Sequence, residues 1–127
     1  MTGMPQISDA EWDVMRVLWR AGKPLTSAEI IARLRESKPW KPTTVKTLIG
    51  RLLHKQALAR TQKERGKDYV YFPLVGEDEC IRAESRSFLD RLFGGALKPA
   101  LVHFLENEPL TPEDIRELKA LLAEKEK

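Results

Sequence analysis

The chain has 127 residues, 42% hydrophobic and 32% charged, a composition that suits one compact domain with a small second module and excludes a disordered tail or a membrane protein. It contains no apolar run of about 18 residues, and its N-terminal stretch lacks the apolar segment of a signal peptide. The single cysteine, Cys80, excludes a disulfide framework within the chain. We therefore expect a cytoplasmic globular protein that holds neither a metal nor an organic cofactor.

The charge is unevenly distributed along the chain. The overall net charge is +3, but residues 1–75 carry a net charge of +7 and residues 76–127 a net charge of −4. Within residues 38–67, Glu64 is opposed by nine basic residues, which are Lys38, Lys41, Lys46, Arg51, Lys55, Arg60, Lys63, Arg65 and Lys67. A polyanion can bind such a stretch through counterion release, whereas solvated side chains on ordinary helix faces would give the same count. The arrangement of the elements has to decide between the two.

Two helices are predicted at the start of the chain. Ser8 and Glu11 have the spacing of a capping box, and the apolar residues that follow recur with helical period until Gly22 ends the helix. Thr26 and Glu29 have the same spacing and predict a second, shorter helix. Both predictions depend on an N-cap hydroxyl and on a carboxylate three residues later.

A third helix is predicted from about Thr43 to about Lys55, after Pro39 and Pro42 interrupt the chain. Its apolar face consists of Val45, Leu48, Ile49, Leu52 and Leu53. The remaining positions are polar, small or basic, and they offer hydroxyl and guanidinium groups to base edges. Gly50 is unusual inside a helix, and either close approach of a sugar–phosphate backbone or close helix packing explains it.

A β-hairpin is predicted after the third helix. Residues 58–62 and 69–74 have the composition of strands, and the basic segment 63–68 between them contains Gly66 at a turn position. Three helices and a hairpin make a winged helix-turn-helix, in which the third helix enters the major groove and the wing contacts phosphates. Winged helices also bind proteins, but the basic helix face and wing favour DNA. We assign residues 1–75 to this DNA-binding domain.

The last fifty residues are predicted to form three amphipathic helices, so the fold class is mostly α with a small β-hairpin. The helices span Glu77 to about Phe93, Leu97 to about Asn107, and the segment after Thr111. Three short helices bury too little surface to be stable without a partner, so we assign residues 76–127 to a dimerisation domain of a homodimer. The residues expected to form it are Phe88, Leu92, Leu97, Leu101, Phe104, Leu105, Leu118 and Leu122. The alternative is a monomer in which these helices fold back on the first domain.

Catalytic chemistry is not visible in the sequence. His54, His103 and Cys80 lie far apart, and no nucleophile, base and orienting group occur together. The histidines suit structural or phosphate-facing positions, and Cys80 is either a small half-buried residue or a thiol that senses oxidants. The sequence therefore predicts that the chain is not an enzyme, and no small-molecule ligand is evident from it.

Two segments resemble the penicillinase-repressor family, which includes BlaI, MecI and CopY relatives. They are residues 39–53 (PWKPTTVKTLIGRLL) and residues 7–19 (ISDAEWDVMRVLW), the latter matching the first helix of the family. The resemblance implies a homodimeric winged-helix repressor on a short inverted repeat, commonly with TACA/TGTA half-sites. It implies that Thr44, Thr47 and Arg51 face the bases. We expect phosphate contacts from Lys41, Thr43, Lys46, Arg65 and Lys67, with Thr43 standing where many relatives have lysine.

The chain departs from the family pattern at several positions. Relatives often end the third helix with glycine, and Gln56 stands here, which predicts a strained or differently shaped turn. The C-terminal cysteine cluster of copper-responsive members is absent. β-Lactam-responsive members are cut at an Asn–Phe bond, which corresponds here to His103–Phe104, and a membrane sensor protease would act indirectly. Release by a ligand is the other route.

Two rival functions remain open at this point. A winged helix with a basic face can bind an acidic protein partner, and it can also serve as an architectural DNA binder that is indifferent to sequence. The first predicts no DNA binding at low salt, and the second predicts weak binding that is uniform over DNA sequences.

Overall fold

The computed structural model describes residues 4–62 and 64–127. In these residues the order of elements is α1 (Asp9–Ala21), β1 (Leu25–Thr26), α2 (Ser27–Leu34), α3 (Pro42–His54), β2 (Leu58–Thr61), β3 (Val70–Pro73), α4 (Glu77–Phe93), α5 (Leu97–Asn107) and α6 (Pro112–Lys125). Lys63, predicted to lie in the wing, is outside the described residues. The mostly helical fold with a small winged sheet is confirmed.

The predicted caps form in full. The Ser8 N–H donates to Glu11 Oε1 over 2.9 Å, and the Glu11 N–H donates to Ser8 Oγ over 3.3 Å. Gly22 ends α1 with φ of 66°, a left-handed conformation that suits glycine, and its N–H donates to the Leu18 carbonyl. Thr26 caps α2 in the same way as Ser8 caps α1. These caps satisfy backbone donors that the helix itself cannot satisfy.

The first three helices enclose the core. Its buried apolar side chains include Val14, Met15 and Leu18 from α1, Ile30, Ile31 and Leu34 from α2, and Val45, Leu48, Ile49 and Leu52 from α3. The predicted apolar face of α3 is therefore buried, except that Leu53 is only half-buried. This packing fixes α3 by one face and leaves its opposite face exposed.

The sheet has three strands in the order β1-β3-β2, all antiparallel. Tyr71 in the central strand is paired with Leu25 on one side and with Arg60 on the other. The sequence analysis predicted the hairpin but missed β1, because a two-residue strand carries no alternation. Since β1 precedes α2 directly, it joins the wing to the helical core.

The chain divides into two compact units, Met1–Ala83 and Glu84–Lys127. The sequence analysis placed the boundary between residues 75 and 76, whereas the contacts place it inside α4. The reason is that the start of α4 packs on the first unit: Cys80 is buried in its core, and the preceding Val75 carbonyl accepts a 2.9 Å hydrogen bond from Trp19 Nε1. Cys80 is thus a buried residue of the core.

The second unit contains the rest of α4 together with α5 and α6. Gly94 and Gly95 separate α4 from α5 with φ of 58° and 85°, as the sequence predicts for a helix break. Thr111 and Asp114 form a capping box at the start of α6. Ala100 is the one buried residue of this unit. A unit with so small a core exposes most of its apolar side chains.

Candidate nucleic-acid interface

Helix α3 presents a polar face on the side away from the core. Thr44, Thr47 and Arg51, the three residues predicted to read bases, are all exposed. Their spacing of three and four residues places them on one face, opposite Val45 and Leu52. A rigid helix with hydroxyl and guanidinium groups in one row can enter a groove and contact base edges.

The hydroxyl group of Thr47 is already engaged in the helix. Its Oγ1 donates to the Thr43 carbonyl over 2.9 Å, a bond between residues four apart that is common for threonine in helices. Because the hydroxyl proton is bonded to the Thr43 carbonyl, Thr47 presents to a ligand only its hydroxyl oxygen, as an acceptor, and its methyl group. Thr47 can therefore accept a hydrogen bond or contact a thymine methyl, which narrows the role expected from the sequence.

The start of α3 is electropositive. Lys41 is the N-cap residue but makes no side-chain cap, Pro42 occupies the first turn, and no acidic residue lies in that turn. Lys41, Thr43 and Lys46 are exposed. The helix dipole adds to the charge of the lysines here, so this end favours an anion such as a phosphate group.

Gly50 lies on the exposed side of α3. A Cβ built on this residue would have no atom within 4 Å among the described residues. Of the two explanations that the sequence left open, close packing within the chain therefore has no support. The position is open to a backbone that approaches from outside.

Side-chain contacts join the two arms of the wing. The Arg60 guanidinium lies 4.4 Å from the centre of the Tyr69 ring, and Gln62 Nε2 donates to the Lys67 carbonyl. Gly66 has φ of 84°, which confirms the predicted turn position. Arg65 and Lys67 are exposed at the tip, as a phosphate contact requires.

An ion pair that the sequence does not predict joins buried Glu11 to Lys55, whose side chain is 33% exposed. Lys55 Nζ donates to Glu11 Oε1 and, over 2.8 Å, to the Gln6 carbonyl. Burial would raise the pKa of Glu11, but the hydrogen bonds from Lys55 and Ser8 outweigh it and hold the pKa below its usual value. The sequence showed Glu11 as a capping residue and Lys55 as one more basic residue, and nothing in the spacing joined the two.

The residues predicted to form a dimer interface lie on all three helices of the second unit. Exposed apolar side chains are Leu92 of α4, Leu97, Leu101, Phe104 and Leu105 of α5, and Leu118 and Leu122 of α6. Phe88 is half-buried, and its ring lies 6.0 Å from those of Phe93 and Phe104. A groove of about 480 Å³ opens beside this aromatic cluster.

The bond between His103 and Phe104 lies inside α5. The His103 carbonyl accepts a 2.8 Å hydrogen bond from Asn107 Nδ2, and the His103 ring packs against Phe93 and Phe104. A protease needs an extended substrate, so this bond is protected while α5 remains folded.

The part of the chain that the structure describes holds no group of three or more histidine, cysteine or carboxylate side chains able to bind a metal. None of its helices combines the length and the apolarity needed to cross a bilayer. The exposed face of α3, the wing and the apolar surfaces of the second unit are therefore the features that need a function.

Comparison with known proteins agrees with this geometry. The family model described as "Penicillinase repressor" matches residues 7–124. The chain is 39% identical over 124 residues to a penicillinase repressor of Bacillus licheniformis, covering 98% of this chain and 94% of that protein. It is 33% identical over 120 residues to the methicillin resistance regulatory protein MecI of Staphylococcus aureus (strain N315), covering 94% and 95%.

A solved structure matches part of the chain. It is the solution structure of the monomeric form of Bacillus licheniformis BlaI in complex with the blaP half-operator. The identity is 39% and the TM-score 0.51, and the match covers 62% of this chain and 93% of that one.

Proposed function

Because the chain belongs to the penicillinase repressor family, it is a DNA-binding repressor and not an enzyme, and we propose that it acts as a homodimer on a short inverted-repeat operator. The observation that carries the proposal is the row of Thr44, Thr47 and Arg51 on the exposed face of a helix whose other face is in the core. This helix would lie in the major groove, as in other helix-turn-helix proteins.

The three residues of the row take different roles in base recognition. The Arg51 guanidinium can donate two parallel hydrogen bonds to the O6 and N7 atoms of a guanine. Thr47, with its proton bonded inside the helix, offers its methyl group to a thymine. Thr44 keeps a hydroxyl group that can donate or accept. Half-sites of the TACA/TGTA type contain both kinds of base.

Residues at two places would hold the phosphates. Lys41, Thr43 and Lys46 lie at the electropositive start of α3, and Arg65 and Lys67 lie on the wing. Such contacts fix the register of the protein on the duplex without reading sequence. They also make the affinity fall with increasing salt.

The homodimer is supported by the second unit. Its exposed apolar side chains need a cover, and a second copy of the same chain supplies one with matching faces. The related BlaI was solved as a monomer on a half-operator, which supports one copy per half-site. Two copies would place their third helices in successive major grooves, roughly 10 bp apart.

Release from DNA would follow cleavage of the second unit in the cytoplasm. The His103–Phe104 bond becomes accessible only when α5 opens locally, because the helix and the Asn107 side chain hold the His103 carbonyl. Cutting α5 would separate Leu97 and Leu101 from Leu105 and weaken the dimer. A membrane sensor protease would start this process without binding the DNA site.

A binding titration tests the function. Fluorescence anisotropy with labelled DNA from the promoter of the chain's own operon is compared with random DNA at two salt concentrations. We expect operator binding tighter than random binding by about 10³-fold or more, with both affinities falling at high salt. Equal weak binding to both would instead indicate an architectural DNA binder, and no binding at low salt would indicate a module for an acidic protein partner.

A further inference from the structure

Glu11 is the one charged residue that is buried among the residues the structure describes, with 1% of its surface exposed. Its Oε1 atom accepts hydrogen bonds from the Ser8 N–H at the start of α1 and from Lys55 Nζ at the end of α3. The same Nζ atom donates to the Gln6 carbonyl. One carboxylate and one ammonium group thus join the chain before α1 to the residue that ends α3.

Lys55 has a buried carboxylate as its partner, and in this it differs from Arg51 on the exposed face of α3. Arg51 lies one turn before Lys55 and is exposed, whereas the Lys55 ammonium is directed at a buried carboxylate. Glu11 is buried, whereas the Lys55 side chain is 33% exposed, so the carboxylate is the member of the pair that most needs its partner. The Lys55 ammonium is engaged by Glu11 and the Gln6 carbonyl and would have to leave both to contact a phosphate.

The end of α3 is the part of the helix that this pair can fix. Lys55 is the C-cap residue, and the next residue, Gln56, has φ of 63°. The buried apolar face of α3 fixes which side of the helix is turned to the core. The ion pair adds a directed restraint at the last turn, because its geometry is specific in distance and angle.

We propose that Lys55 is a positioning residue for DNA recognition, which through Glu11 and Gln6 fixes the end of α3 and thereby the direction of Arg51. The proposal rests on the proposed DNA-binding function and assigns to Lys55 a role opposite to the one its charge suggests. A phosphate contact would raise the affinity for DNA of any sequence. A positioning residue raises the affinity only for DNA that carries the base that Arg51 contacts.

The two roles predict opposite changes in operator affinity for Glu11→Gln. If Lys55 positions α3, weakening the pair lowers operator affinity by about five- to tenfold, the lower range for a bidentate base contact, and leaves random DNA within about twofold. If Lys55 were a phosphate contact, releasing it from Glu11 would raise the affinity for both DNAs. Glutamine keeps the shape of Glu11 and an acceptor for the Ser8 N–H, so this variant should fold.

Lys55→Met is the second variant, and Lys46→Met is its matched control on the exposed side of α3. We expect Lys55→Met to lose operator affinity with no change in the salt slope, and Lys46→Met to weaken both DNAs and reduce the slope by about 0.9. The double variant Glu11→Gln with Lys55→Met should bind no more weakly than Lys55→Met. A reduced slope for Lys55→Met, or higher affinity for Glu11→Gln, would overturn the proposal.

Hydrogen exchange separates failure of this proposal from failure of the proposed function. In the free protein, Glu11→Gln and Lys55→Met should speed amide exchange in the last turn of α3, and Lys46→Met should not. If the wild-type chain does not distinguish operator from random DNA, the proposed function fails while exchange still reports on the ion pair. Unchanged exchange together with unchanged operator specificity would show that Lys55 does not position the helix.

Discussion

Arg51 and Lys55 lie four residues apart on or beside the same helix and carry the same charge, but their surroundings differ. Arg51 is exposed, and Lys55 is paired with buried Glu11. At the scale of single residues, the role of a basic side chain therefore depends on which groups it already contacts. Thr47 shows the same point, because its bond to the Thr43 carbonyl removes its donor.

Arg51→Ala should lower operator affinity by about 1–3 kcal/mol, or about five- to 150-fold, and leave binding to random DNA almost unchanged, because a base contact is lost. Anisotropy titrations on both DNAs measure this. Lys67→Ala on the wing is the control, and it should weaken both DNAs alike and lower the salt slope. Equal losses on both DNAs for Arg51→Ala would contradict its assigned role.

Gly50→Ala should raise the free energy of unfolding by up to about 1 kcal/mol, since alanine favours a helix and its Cβ would meet no atom within 4 Å. The same variant should bind operator more weakly if a DNA backbone passes close to this residue. Urea unfolding and anisotropy measure the two effects.

Gly22→Ala is the matched control for Gly50→Ala. Its Cβ would also meet open space, but its φ of 66° is left-handed, so we expect a loss of about 1 kcal/mol in stability with little change in DNA binding. If Gly50→Ala is more stable and binds DNA normally, the glycine is not needed for DNA approach.

At the scale of elements, α3 ends in a Schellman turn without the usual glycine. The Ala57 N–H donates to the Leu52 carbonyl, and the Gln56 N–H donates to the Leu53 carbonyl. Gln56 has φ of 63°, a conformation that costs a residue with a side chain more than it costs glycine. The strained turn expected from the sequence is present.

Gln56→Gly should therefore stabilise the protein by about 1 kcal/mol because it relieves the left-handed strain. Thermal and urea unfolding measure the gain. Gln56→Asn should give a smaller gain, since asparagine tolerates this conformation better than glutamine, and Gln56→Ala should give none. A loss of stability in Gln56→Gly would show that the glutamine side chain contributes a contact of its own.

The pair that joins α1 to α3 should make stability depend on pH. The pKa of Glu11 lies below its usual value in the folded chain, so its ionised form stabilises the fold above the unfolded pKa near 4.5. That stabilisation is lost as the pH falls through the lowered pKa. Glu11→Gln should be less stable at pH 7 and should show a flatter stability profile below about pH 5.

Urea unfolding between about pH 3 and pH 7 measures this profile. Glu29→Gln is the control, because the pKa of Glu29 is lowered mainly by hydrogen bonds within its own capping box with Thr26. The dependence of the unfolding free energy on pH should flatten more in Glu11→Gln than in Glu29→Gln. Identical profiles for the two variants would mean that the ion pair with Lys55 adds no stability to that of the capping box.

At the scale of the whole molecule, charge and apolar surface are separated along the chain. The net positive charge is in residues 1–75, while the exposed leucines of α4, α5 and α6 lie in the acidic part. A chain that binds DNA through one unit and its own copy through the other requires this separation.

If the chain forms the proposed homodimer, replacing Leu118 and Leu122 together by glutamate should give a monomer, because both side chains are exposed on one face of α6 and charge there prevents apolar burial. Analytical ultracentrifugation measures the mass, and operator affinity should fall towards that for a half-site. Lys119→Glu on the same helix is the control and should remain dimeric. A monomeric wild-type chain at micromolar concentration would contradict the homodimer.

Local signals determined much of this protein without any tertiary information. Helical period, two capping boxes and Gly22 predicted α1 and α2, and the apolar face of α3 predicted which of its sides is exposed. These features depend on residues that are at most a few positions apart, so they can be predicted from the sequence alone. The exposed row of Thr44, Thr47 and Arg51 follows directly from that period.

Tertiary structure decided what depends on residues far apart in the chain. The pairing of Glu11 with Lys55 joins positions 44 residues apart, β1 is a strand only because β3 lies beside it, and Cys80 belongs to the first unit because the start of α4 packs on that core. A short sequence window never contains both partners of such a contact. The electrostatic and packing energy that selects these arrangements exists only once the chain has folded.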